Sequence, residues 1–132
     1  MTQNNRRWTM MVYMAGDNGK VFEQLQGKRL MAPMEAQGYQ DIAEMEVVGS
    51  TPDVAVLVQF DTLSDREHTY RIYIRPSEKP RQIENIPEQN MGDPRSLRDF
   101  IVWGIENYPA ENYAVILWNH GTGWKEDDIY AF

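Results

Sequence analysis

His120 is one of two histidines in a chain of 132 residues, and its neighbours suit chemistry. The apolar run YAVILW at 113–118 leads straight into Asn119, His120 and Gly121, with a second glycine at 123 and Trp124 behind it. An imidazole titrates near neutrality, so it can take up a proton and return it during acyl transfer. Gly121 lacks a Cβ, so a substrate backbone can approach closely and its N–H can meet a developing oxyanion. The chain contains no cysteine, which rules out a thiol nucleophile within it. A second chemistry stays open from the same residues: Asp17 and Asp61, each at the end of an apolar run, could join His120 around a metal ion that activates water. The plainer reading is that Asp17 caps a turn and Asp61 caps the loop behind its strand.

Other polar groups carry less. His68 sits in the charged entry DREH to a hairpin and is expected to face solvent. Asp127 and Asp128 lie in the charged segment KEDDIY, a weak calcium-ligand pattern. AGDNG lacks the G-x-G-x-x-G spacing of a dinucleotide loop. The methionines and Trp103 read as core filler. Trp118 and Trp124 bracket the histidine and suit a pocket wall, with core packing equally open to Trp118.

The elements that must position these groups are readable. WTMMVYM (8–14), VAVLVQF (54–60) and YAVILW (113–118) are near-continuous apolar runs, as in parallel strands covered on both faces. In TYRIYIR, Tyr70, Ile72 and Ile74 alternate with Arg71, Tyr73 and Arg75, which predicts an edge hairpin with RQIENI and one wet face. DIAEMEVVGS predicts a helix with Ile42, Met45 and Val48 inward, Glu44 and Glu46 outward, and Gly49 at its end. DPRSLRDFIVWGIENYP predicts a second helix, capped by Asp93, opened by Pro94 and carrying Leu97, Ile101, Ile105 and Tyr108 on one side. Residues 17–38 read as a surface excursion around a short helix. Strand, helix, strand, hairpin, helix, strand is the order of an α/β domain with right-handed crossovers. Such sheets bind ligands beyond the carboxyl ends of their strands, where AGDN, QFD and NHG all fall, with His120 expected at the end of a central strand.

Composition narrows the partners. A 42% hydrophobic, 11% aromatic chain of this length supports one folded domain, 1–132. A net charge of −7 and a pI of 4.8 argue against nucleic acid, whose backbone needs a basic face, and agree with a basic peptide. No run approaches the roughly 18 apolar residues of a membrane span. The start MTQNNRRW has no apolar core of the kind a signal peptide needs, which leaves localisation undecided.

The segments WTMMVYMAGDN, DIAEMEVVGS, VAVLVQFD and MGDPRSLRDFIVWGIENYPAENYAVILWNHGTGW resemble the clostripain family of cysteine peptidases. The resemblance covers most of residues 8–124 and is most specific over 91–124. It implies a caspase-like three-layer sandwich, a mostly parallel sheet flanked by helices, left incomplete in this chain. It implies hydrolysis of peptide bonds after Arg or Lys by a Cys–His dyad, with His120 as the base and Gly121 as oxyanion donor. Asn119, Asp61 and Trp124 are the expected substrate-binding residues. The family's cysteine, and the acidic residue that reads the basic side chain, belong to the next strand. The chain therefore reads as a light-chain-like portion, inactive alone. A second segment carrying the Cys, or another copy of the chain, is expected to cover an open sheet edge. The stretch 19–39 is longer than the family's usual link. The resemblance leaves calcium open as a cofactor, and family members are often secreted. The rival readings are a truncated, inactive member kept for binding or oligomerisation, and the Asp–His metal hydrolase.

Overall fold

The computed structural model describes residues 6–16 and 33–119. Its elements run β1 (Trp8–Gly16), α1 (Pro33–Val48), β2 (Val54–Thr62), β3 (His68–Tyr73), β4 (Gln82–Pro87), α2 (Pro94–Asn107) and β5 (Asn112–Trp118). They form one sheet in the order β4-β3-β2-β1-β5. β1 pairs in parallel with β2 and with β5, whereas β2–β3 and β3–β4 are antiparallel. The three apolar runs thus become three parallel strands, and TYRIYIR becomes half of the edge hairpin. The third run leaves the open sheet edge expected from the sequence. β1 is the middle strand, and β5 has a neighbour on one side only among the described residues.

The near-continuous apolar character of β1 and β2 follows from a helix on each face. Val12, Met14, Val58, Phe60, Ile72 and Ile74 pack with Ile42 of α1, and Tyr39, Met45 and Trp118 close that layer. Met11, Tyr13, Ala15 and Leu57 point the other way and pack with Phe100 of α2 and with Met91. This is the three-layer α/β sandwich expected from the sequence. Helix α2 lies so close to the sheet that a Cβ on Gly104 would fall 2.5 Å from Met11 Sδ. β5 is different: Tyr113, Val115, Ile116 and Leu117, which alternate across its two faces, are all exposed.

Three details depart from the expectations. Helix α1 begins at Pro33, well before Asp41, so part of the supposed surface excursion is helix. Its inward stripe takes in Glu46 and leaves Val48 72% exposed. Glu46 can turn inward because Arg81 meets its carboxylate in a two-pronged contact, at 3.0 Å from Nη2 to Oε1 and 3.0 Å from Nε to Oε2. Gly49 ends the helix as expected, at φ +74 with its N–H donating to Met45 O.

The face of β3 that carries Arg71 and Tyr73 is not wet. The Arg71 guanidinium lies 5.2 Å from the Trp103 ring centre and donates from Nε to Gln59 Oε1. Tyr73 stacks on Tyr108 at 5.0 Å. The C-terminal half of α2 therefore covers this face. On α2 itself the cap is as predicted: Asp93 accepts from Arg95 N and Pro94 opens the helix. Ser96, Phe100 and Gly104 are its buried stripe; Leu97, Ile101 and Tyr108 of the expected face pack against the same layer, and only Ile105 departs, 40% exposed. No helix among the described residues is long and apolar enough to cross a membrane.

Candidate active site at the carboxyl edge of the sheet

The parallel register brings the strand ends level. Met14 pairs with Phe60 and with Trp118, and one residue further Ala15 pairs with Asp61. Asn119 is the residue that leaves β5 at this level. With about 4.8 Å between neighbouring strands, Asp61 and Asn119 stand about 10 Å apart across β1, too far for a direct bond. AGDN, QFD and NHG thus begin at one edge, but the sheet separates their origins.

Asn119 lines a cleft of about 220 Å³ between the ends of β1 and β5 and the start of α2. Tyr13, Ala15, Leu97 and Leu117 supply its apolar walls, and Met91, Gly92 and Asp93 form its rim. A cavity of about 150 Å³ holds a benzene ring, so this one has room for a large side chain. Two contacts build the rim. The Tyr13 hydroxyl donates to Met91 O at 2.8 Å, tying the segment before α2 to the sheet. Asp93 is turned toward the helix: Arg95 donates to its carboxylate from the side chain and from the backbone N–H, which holds it below the ordinary carboxylate range.

Asp61 does not line this cleft. It lies inside β2 instead of in the loop behind it, is fully buried, and accepts a hydrogen bond from Thr69 Oγ1 at 2.9 Å. Thr69 Oγ1 accepts in turn from Gln89 N, in the segment leading to α2. Trp118 meets both expectations: it lines the cleft and also packs in the core layer under α1, donating from Nε1 to Asp41 Oδ2 at 2.8 Å. His68 is half exposed and is held by Asp65, with Nδ1 at 3.3 Å from Oδ2. Sequence reasoning missed Tyr13, Met91 and Asp41. Tyr13 alone carried a signal, as a hydroxyl within an apolar strand.

His120, Gly121, Trp124, Asp17, Asp127 and Asp128 lie outside the described residues. Among the described residues there is no group of three His, Cys, Asp or Glu side chains able to hold a metal ion.

Comparison with known proteins places this geometry in a context. The sequence profile of the clostripain family matches residues 12–131. Clostripain from Hathewaya histolytica is 49% identical over 39 residues, which are 30% of this chain and 7% of that protein's length. The chain therefore matches only a small part of that relative. A B. fragilis cysteine protease superposes with a TM-score of 0.59 at 27% identity, over 90% of this chain and 92% of that one. A clostripain from Bacteroides thetaiotaomicron, solved with a peptide inhibitor, superposes at 0.66 with 13% identity, over 92% and 96% of the two chains. The latter likeness is one of fold.

Proposed function

The chain belongs to the clostripain family, and on that premise we propose that it is the histidine-bearing portion of a cysteine endopeptidase that cuts after Arg or Lys. The carrying observation is that β5 ends parallel to β1, so Asn119 leaves the sheet beside the cleft and His120 follows directly in the chain. The family match spans the NHGTGW segment as well.

The thiol comes from a segment beyond these 132 residues, which contain no cysteine. His120 takes the thiol proton as sulfur attacks the scissile carbonyl, and the Gly121 N–H receives the oxyanion. The imidazolium then passes its proton to the leaving amine. In the second half-reaction His120 deprotonates a water that opens the thioester and returns the thiol. Asn119 lines the cleft proposed for substrate, and Trp124 is carried over as a substrate-binding residue from the family resemblance alone. Asp61, buried in β2, acts through Thr69, whose Oγ1 donates to it and accepts from Gln89 N, and so orients the segment leading to α2. The net charge of −7 favours approach of a basic peptide.

The segment that brings the thiol adds its strand to the open side of β5. The exposed Val115, Ile116 and Leu117 supply the apolar surface for it, and a second copy of the chain is the other occupant the same edge would take. Calcium is carried over from the family resemblance alone. No step of the proposed reaction needs it.

The test is complementation. This chain, mixed with the cysteine-bearing segment, is expected to hydrolyse an arginyl or lysyl amide, and the chain alone is expected to be inert. His120→Ala should lower kcat by about 10³-fold, and thiol alkylation should abolish activity. Hydrolysis that survives both treatments would sink the proposal.

A further inference from the structure

Before any segment covers its open side, the end of β5 is held by the sheet on one side only. Its ladder to β1 stops at the Met14–Trp118 pair. Among the described residues no strand lies on its other side. The two residues before Trp118, Ile116 and Leu117, are 43% and 57% exposed, so packing holds them poorly. Trp118 is the exception. Its ring packs in the layer that holds Ile42 and Phe60, and its indole N–H donates to Asp41 Oδ2 at 2.8 Å. The other Asp41 oxygen is engaged as well: Gln37 Nε2, one turn earlier on α1, donates to Oδ1 at 2.7 Å. The carboxylate is thus aimed from both sides. Helix α1 is itself fixed to the sheet by Ile42, 1% exposed.

We propose that Asp41 and Trp118 are positioning residues for His120: a latch from α1 that sets where the chain leaves β5 and so where the imidazole stands. The inference rests on His120 being the base, as argued above. The His120 Cα can be no more than about 7 Å from that of Trp118, since a residue spans at most about 3.6 Å. A shift at Trp118 therefore moves the point from which the chain reaches His120. Misplacing a catalytic group by about 1 Å costs about 10²-fold in rate. A purely structural bond, satisfying a half-buried indole, would instead change stability and leave turnover alone.

The experiment uses the assembled peptidase, this chain with its cysteine-bearing segment, assayed well below its melting temperature. Asp41→Ala should lower kcat by about 10- to 100-fold with KM within about two-fold, and Trp118→Phe, whose residue also lines the cleft, should lower kcat comparably. Asp41→Asn keeps an acceptor at the same place and should recover at least about a third of the wild-type kcat. The pH profile of thiol alkylation gives an independent readout. A well-placed imidazole draws the thiol pKa down, and in Asp41→Ala the profile should move toward the ordinary thiol value of about 8.5. Should Trp118→Phe fail to fold, the Asp41 pair decides alone. Wild-type kcat in Asp41→Ala, an unmoved alkylation profile, or Asp41→Asn as impaired as Asp41→Ala overturns the latch. Activity surviving in His120→Ala overturns the functional reading beneath it instead, so the two failures are distinct.

Discussion

Tyr13→Phe removes one oxygen atom from the wall of the cleft, and its cost can be worked from the structure. Tyr13 is 6% exposed, and its ring packs against Phe100 at 6.1 Å. That packing survives the substitution. The hydroxyl's donation to Met91 O at 2.8 Å does not. A buried hydrogen bond contributes about 1 kcal/mol net, and an acceptor left without its donor costs about 1–3 kcal/mol. The expected loss is about 1.5 kcal/mol. Tyr113 supplies the control. Its hydroxyl accepts from Ala110 N at the surface, where water can replace it, so Tyr113→Phe should cost under about 0.5 kcal/mol. Urea unfolding followed by near-ultraviolet circular dichroism reads both. At a slope of about 2 kcal/mol/M, Tyr13→Phe should lower the midpoint by about 0.7 M, and Tyr113→Phe by under about 0.25 M. Equal midpoints for the two variants would refute the argument that this bond holds the rim.

Phe60→Ala should be far more damaging. The ring is fully buried and meets Tyr39 edge-on at 5.1 Å, so about 4 kcal/mol should be lost in the same urea assay; a loss under about 1.5 kcal/mol would mean the α1 layer repacks freely. Asp65 predicts a pH effect. The Tyr70 hydroxyl at 2.6 Å, together with the Glu67 and His68 N–H groups, lowers its carboxyl from 3.8 to about 2. A depressed folded pKa stabilises fully above the unfolded value of 3.8 and ceases to do so as pH falls through about 2. Asp65→Asn should therefore show a flatter loss of unfolding midpoint across that window than the wild type. Equal slopes would contradict it.

What was legible in the sequence is what local chemistry decides. Asp93 and Pro94 mark the start of α2 because a cap and a fixed φ need only adjacent residues. The three parallel strands were legible because coverage on both faces leaves a continuous apolar run. What was not legible depends on pairs remote in the chain. Glu46 turns inward only because Arg81, 35 positions away, meets it. Arg71 and Tyr73 alternate like a wet face, yet Trp103 and Tyr108 arrive from α2 to cover them. Strand order was equally hidden, since the chain order does not say that β1 takes the centre and β5 the edge. At the site, Asn119 reached the carboxyl edge as its spacing implied, while Asp61 went into the strand and under Thr69. Asp41 had no signal at all, because its meaning lies in an indole 77 positions later. The contacts that escaped local reading are charged or polar side chains reaching between layers or strands. A flat strand end carries little apolar burial of its own, so such polar contacts from a neighbouring layer are what can aim the residues that leave it. On the proposed reading, the Asp41–Trp118 bond is a contact of this kind, reaching from α1 to the strand end before His120.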